Sequence, residues 1–176
     1  MFEDKTREIP QGHPLRQLFH KLTEATLEGI GVKDEELVFY ISDLLVRFTH
    51  IDNLYKLRNT AGERLVYIVD MLLAASEADF QQQREVRKHI GDYSLFILGL
   101  FPESLRRPRR PLSPEYYVEQ GKESYWIVAE IDRYKPTASL FRKLSDNFEY
   151  CINALNLEKE YLQDPVYQYI GRQMGW

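Results

Sequence analysis

The stretch from Glu85 to Phe101 constrains the fold more than any other part of the chain. Val86, Ile90, Tyr93, Ile97 and Leu100 recur at steps of three and four and therefore share one stripe of a helix. From Tyr93 onward Leu95, Phe96, Leu98 and Phe101 make the other faces apolar as well, and a helix that is hydrophobic all round has to be enclosed by other elements. A buried central helix from about Asp79 to Phe101 is expected, stopped by Pro102, whose ring cannot continue it. Gly91 and Gly99 each cost a helix interior roughly 1 kcal/mol relative to alanine, a loss explained if a neighbouring helix approaches the backbone there.

The enclosing elements can be read on both sides of this rod. Leu15, Leu18, Phe19, Leu22 and Ala25 mark an amphipathic helix with Pro14 in its first turn. Asp34 caps the next, with Glu35 and Glu36 where the helix dipole favours negative charge and Leu37, Ile41, Leu44, Leu45 and Phe48 as its core stripe. A connection through about Asn59 has room for one helical turn at Leu54 to Leu57. Thr60-Ala61-Gly62-Glu63 has the form of a capping box and predicts a helix with Leu65, Val69, Leu72 and Leu73 turned inward, up to about Ala75. Ser113-Pro114-Glu115 opens another helix, to about Tyr134, with Tyr117, Gly121, Tyr125 and Val128 on its core face. After Pro136 one final long helix is expected on the seam Phe141, Leu144, Phe148, Cys151 and Leu155, and Asp164-Pro165 starts a short terminal helix holding Val166, Tyr167, Tyr169 and Ile170. No alternating run is long enough for a sheet. The expected fold is all-α, a single-domain bundle of about six or seven helices around a buried central helix, covering residues 1–176 with a loose N-terminus at 1–12.

A chain of 176 residues can bury roughly 70% of its unfolded surface, so no disulfide or metal is needed to hold it together. A net charge of -4 supplies no field that draws the chain to nucleic acid or to anionic lipid. The lone Cys151 excludes an internal disulfide framework and suits a reducing cytosol. The first eight residues are too charged for a signal peptide, and no apolar run approaches the roughly 18 residues that span a bilayer. A cytoplasmic location without membrane or nucleic-acid partners is expected.

Site chemistry is sparser. Glu85, His89 and Asp92 lie at spacings of four and three on one face of the central helix, and Glu119 and Glu123 form a second pair one turn apart, as Asp146 and Glu149 nearly do further on. Helices that each offer two oxygen or nitrogen ligands are how bundles build metal sites. The ferritin-like Glu-x-x-His pattern is absent, however, so helix-face ion pairs are the expected reading and no cofactor is expected. Without a metal, His89 beside Asp92 has the makings of a ring oriented by a carboxylate and titrating near neutral pH. Phosphate loops, nucleophile elbows and zincin helices are missing.

Two further stretches bear on binding. Between Leu105 and Leu112, Pro108 and Pro111 keep Arg106, Arg107, Arg109 and Arg110 out of helix and predict an exposed, extended loop; four guanidinium groups in five positions make an anion-binding candidate, although no aromatic interleaves them as a base-stacking platform requires. Tyr116, Tyr117, Tyr125, Trp126 and Tyr134 fall on more than one face of one helix, and those outside the core favour a protein partner or a homo-oligomer.

His89-Ile90-Gly91-Asp92-Tyr93-Ser94-Leu95-Phe96, Tyr117 to Tyr125, and Phe141 to Glu149 resemble motifs of an uncharacterised family of small all-helical bacterial proteins, over about Leu37 to Leu155. No activity is known for that family, so the resemblance implies no functional residues. The expected function is that of a non-enzymatic interaction or regulatory domain that associates with itself; the alternative is a metal or small-ligand binder or enzyme built on Glu85, His89, Asp92, Glu119 and Glu123.

Overall fold

The computed structural model describes residues 11–106, 108, 112–162, 168 and 172. Among them the chain forms eight α-helices: α1 (Pro14–Gly29), α2 (Glu35–Phe48), the single turn α3 (Ile51–Leu54), α4 (Ile68–Glu77), α5 (Phe80–Leu100), α6 (Pro114–Ile131), α7 (Thr137–Asp146) and α8 (Phe148–Tyr161), with a 3-10 turn at Pro102–Arg106 between α5 and α6. The fold is an all-α bundle. Its core is one continuous cluster to which all the long helices contribute.

α5 is the enclosed rod that its sequence demands. Every residue from His89 to Leu100 is buried, and α6, α8, α4 and α2 all pack against it. A methyl group on Gly99 would stand 2.5 Å from Leu155 Cβ of α8, so the missing side chain is what lets the two helices meet. The helix starts follow local chemistry. Asp34 accepts the amides of Glu36 and Leu37, Asp79 that of Gln82 and Ser113 that of Tyr116; each satisfies donors that a first turn leaves without partners. Among the described residues no helix is long and apolar enough to cross a membrane.

Four expectations need correction. Thr60 caps no helix. Gly62 has φ +82°, and the Asn59 side chain accepts the amides of Ala61 and Glu63, so Thr60 to Glu63 is the tip of a tight reversal closed by Asn59 N–H to Glu63 O at 3.0 Å and Leu65 N–H to Leu57 O at 2.9 Å. The following helix therefore begins only at Ile68, buries Ile68, Met71 and Ala75, and leaves Val69 and Leu73 exposed. The predicted final rod is two helices. Asn147 turns back to donate its side-chain amide to Lys143 O at 2.9 Å and breaks the rod there, although Phe141, Leu144, Phe148, Cys151 and Leu155 are all buried as the seam predicts. α6 ends at Ile131, before Tyr134, which is 90% exposed. On α1 the buried face is Phe19, Thr23, Thr26 and Leu27, while Leu18 and Ala25 face outward. The terminal segment at Val166, Tyr167, Tyr169 and Ile170 and the N-terminal residues 1–10 lie outside the described residues.

Candidate functional site

Asp92 sits near the middle of α5 with its side chain 2% exposed, in contact with α2 and α6. Tyr40 of α2 and Tyr125 of α6 each donate a hydroxyl to its Oδ1, at 2.6 and 2.7 Å. Lys88, one turn earlier on α5, and Arg47 of α2 reach its Oδ2 at 3.1 and 3.4 Å. The Arg47 Nε also donates to Asp43, which in turn holds Arg16 of α1 at 2.8 Å. One carboxylate thus ties α2, α5 and α6, and the network extends to α1. Burial by itself would push the Asp92 carboxyl up; the charges of Lys88 and Arg47 and the two tyrosine hydroxyls outweigh it and hold the group below the usual carboxylate range. Burial, and then the Asp92 charge, raise both tyrosines well above their ordinary value, which keeps them as donors.

His89, three residues before Asp92 on α5, is buried against the rings of Phe48 and Tyr93 at centroid distances of 5.9 and 6.2 Å. Among the described residues neither ring nitrogen has a hydrogen-bond partner. Burial and the positive charge of Lys56 push its pKa down to about 3, so the ring is neutral at neutral pH. The expectation of a histidine oriented by Asp92 and titrating near neutrality is not met, because the Asp92 oxygens are engaged by two tyrosines and two cations.

Glu85 points outward instead, and pairs with Arg84 at 2.6 Å. Arg84 also clamps Asp132 through two parallel bonds of 2.7 and 2.5 Å, with Thr137 donating to the same carboxylate at 2.8 Å, and so fastens the start of α5 to the turn between α6 and α7. Glu119 and Glu123 are exposed on the face of α6 turned away from Tyr125. The five candidate residues therefore do not converge. Among the described residues no group of three His, Cys, Asp or Glu side chains could hold a metal ion. Lys122 reaches Glu149 of α8 at 3.2 Å, while Arg142 and Lys143 pair with Glu130 and with Asp34 and Glu36.

What Glu119 and Glu123 do share is a groove of about 740 Å3 along α6, lined also by Glu115, Val118, Lys122, Trp126, Ser145 and Glu149. The Ser145 hydroxyl donates to Lys122 O at 3.0 Å and holds α7 against α6 there. Trp126 is 50% exposed. Four carboxylates and one ammonium, itself bound to Glu149, make the groove acidic around an accessible indole. Of the anion-binding candidates, Arg106 is exposed at the end of the 3-10 turn, and Arg107, Arg109 and Arg110 lie outside the described residues.

Sequence reading found Asp92 and missed its partners. Lys88 is legible four residues before it; Tyr40, Arg47 and Tyr125 come from other helices and carry no sequence mark. The groove had a partial signal in Glu115, Glu119 and Glu123, three acids at one-turn spacing with Trp126 three residues on. No family model matches the chain, and no curated protein and no solved structure matches it either.

Proposed function

We propose that this chain is a non-enzymatic protein-interaction domain of the cytoplasm, and that its α6 groove takes a partner segment rich in arginine or lysine. The observation that carries the reading is the groove itself, where a half-exposed Trp126 lies among Glu115, Glu119, Glu123 and Glu149. An indole face attracts a guanidinium or ammonium group, carboxylates beside it select the same charge, and a half-exposed tryptophan flanked by charged residues is the composition of an interface anchor. The buried cluster supports the non-enzymatic half of the reading. Both Asp92 oxygens are engaged from three helices and the His89 ring is enclosed and neutral, so that cluster presents no reactive group to a substrate.

Titration with an oligo-arginine peptide tests the reading through tryptophan fluorescence. The expected result is a saturable change that weakens as salt is raised, disappears in Trp126→Phe and is reduced at least tenfold in affinity in Glu119→Gln combined with Glu123→Gln. No change, or an undiminished one in the double variant, rejects the groove as the binding face.

A further inference from the structure

We propose that the basic segment received by the α6 groove is this chain's own, residues 106–110 of a second copy, so that the domain assembles with itself; this rests on the reading of the groove given above. Arg106, Arg107, Arg109 and Arg110 supply four guanidinium groups in five positions, and Glu115, Glu119 and Glu123 stand at one-turn intervals along α6 with Glu149 contributed by α8. Glu115 to Glu123 is eight helical steps of about 1.5 Å, so this row of acids extends over about 12 Å of the groove. Guanidinium groups bind carboxylates through paired bonds and stack on indole, which is what this row of acids beside Trp126 offers.

The partner has to be another copy because of how the segment is tethered. Leu105 is buried on one side of it and Ser113 caps α6 on the other, with only residues 106–112 between. The segment leads directly into the first turn of its own α6, which leaves Glu123 and Trp126, more than two turns along, to a second chain. A two-fold arrangement satisfies both grooves at once, each copy giving one segment and receiving one.

Sedimentation velocity on the full chain is the test, with two charge-reversed variants. Wild-type protein is expected to dimerise at low salt and to dissociate as salt rises. Glu119→Arg with Glu123→Arg, and separately Arg109→Glu with Arg110→Glu, are each expected to be monomeric with unchanged helix content by circular dichroism, since Glu119 and Glu123 lie on the surface. Mixing the two variants restores both complementary contacts and is expected to restore the dimer. Wild-type protein that stays monomeric at every concentration, or variants that fail to associate on mixing, overturns the proposal. If oligo-arginine still perturbs Trp126 in that case, the groove remains a binding face for another basic segment; if it does not, both readings fall together.

Discussion

The Tyr125 hydroxyl donates to Asp92 Oδ1 at 2.7 Å across the contact between α5 and α6, and it reaches that position because residue 91 has no side chain. A methyl group on Gly91 would stand 2.6 Å from the Tyr125 ring. The glycine thus shapes the surface on which the ring lies, and the next residue supplies the acceptor for its hydroxyl. Phe141 and Phe148 hold the same ring from α7 and α8, at centroid distances of 5.9 Å each.

Tyr125→Phe keeps the ring and removes one of four donors to a buried carboxylate. A loss of about 1–2 kcal/mol in urea denaturation is expected. Asp92→Leu is expected to cost about 3–5 kcal/mol, because it strands Lys88, Arg47 and two tyrosine hydroxyls that the carboxylate serves. An unchanged denaturation midpoint for Tyr125→Phe would show that its hydroxyl is not bound to Asp92.

Gly91→Ala forces the new methyl into a ring pinned on several sides, and overpacking of that kind costs about 1–3 kcal/mol. The clash is specific to the ring. In a Tyr125→Leu background the added cost of Gly91→Ala is expected to shrink, giving a coupling of about 1 kcal/mol or more in a double-mutant cycle; simple additivity of the two changes would place the ring elsewhere.

His89 sets an acid-side dependence. Its ordinary pKa of 6.5 falls to about 3 in the fold, so below about pH 6.5 the unfolded chain takes up a proton that the native state refuses. Stability from this group is complete above pH 6.5 and is lost as pH falls toward 3, by about 1.4 kcal/mol per pH unit. Asp92 acts in a lower window, below its ordinary 3.8. Between about pH 6.5 and pH 5 the loss from His89 is offset by the gain from Glu158, so His89→Met is expected to become more stable relative to the wild type by about 1.4 kcal/mol per pH unit as pH falls through that window. A slope in that window equal to that of the wild type would contradict the buried, neutral ring.

Glu158 sets the opposite dependence. The side chain is buried in α8 with the Thr23 hydroxyl of α1 between its two oxygens, at 3.2 and 3.1 Å, and burial pushes its pKa up from 4.5 to about 8. The native state therefore keeps a proton that the unfolded chain releases above pH 4.5, and stability declines as pH rises from 4.5 to about 8, then levels off. Glu158→Gln preserves the shape without the charge. It is expected to be the more stable protein by about 3 kcal/mol at pH 7 and nearly equal to the wild type at pH 4; a difference independent of pH would mean that Glu158 is ionised in the fold.

The errors of sequence reading fall where a local pattern had a stronger competitor. Thr60 to Glu63 matches a capping box, yet Asn59 takes the same amides and Gly62 takes a left-handed turn that no helix start contains. Phe141 to Leu155 keeps its seam through a break at Asn147, because heptad-like spacing specifies which residues are buried and leaves open whether one rod or two carry them. Glu85, His89 and Asp92 share a stripe by spacing alone; the neighbouring helices cover that stripe only from His89 onward, so Glu85 emerges at the surface.

The amino-acid sequence by itself determined the buried rod α5, the caps at Asp34 and Ser113, and the glycines where helices meet, since helix formation, capping and amphipathicity are settled among residues within about four positions of one another. Only the tertiary structure decided that Asp92 is served by Tyr40, Arg47 and Tyr125, that Arg84 clamps Asp132, and that four exposed glutamates line a groove with Trp126. Those partners are separated by 52, 45, 33 and 48 residues, and a side chain carries no sign of a neighbour that only packing brings to it.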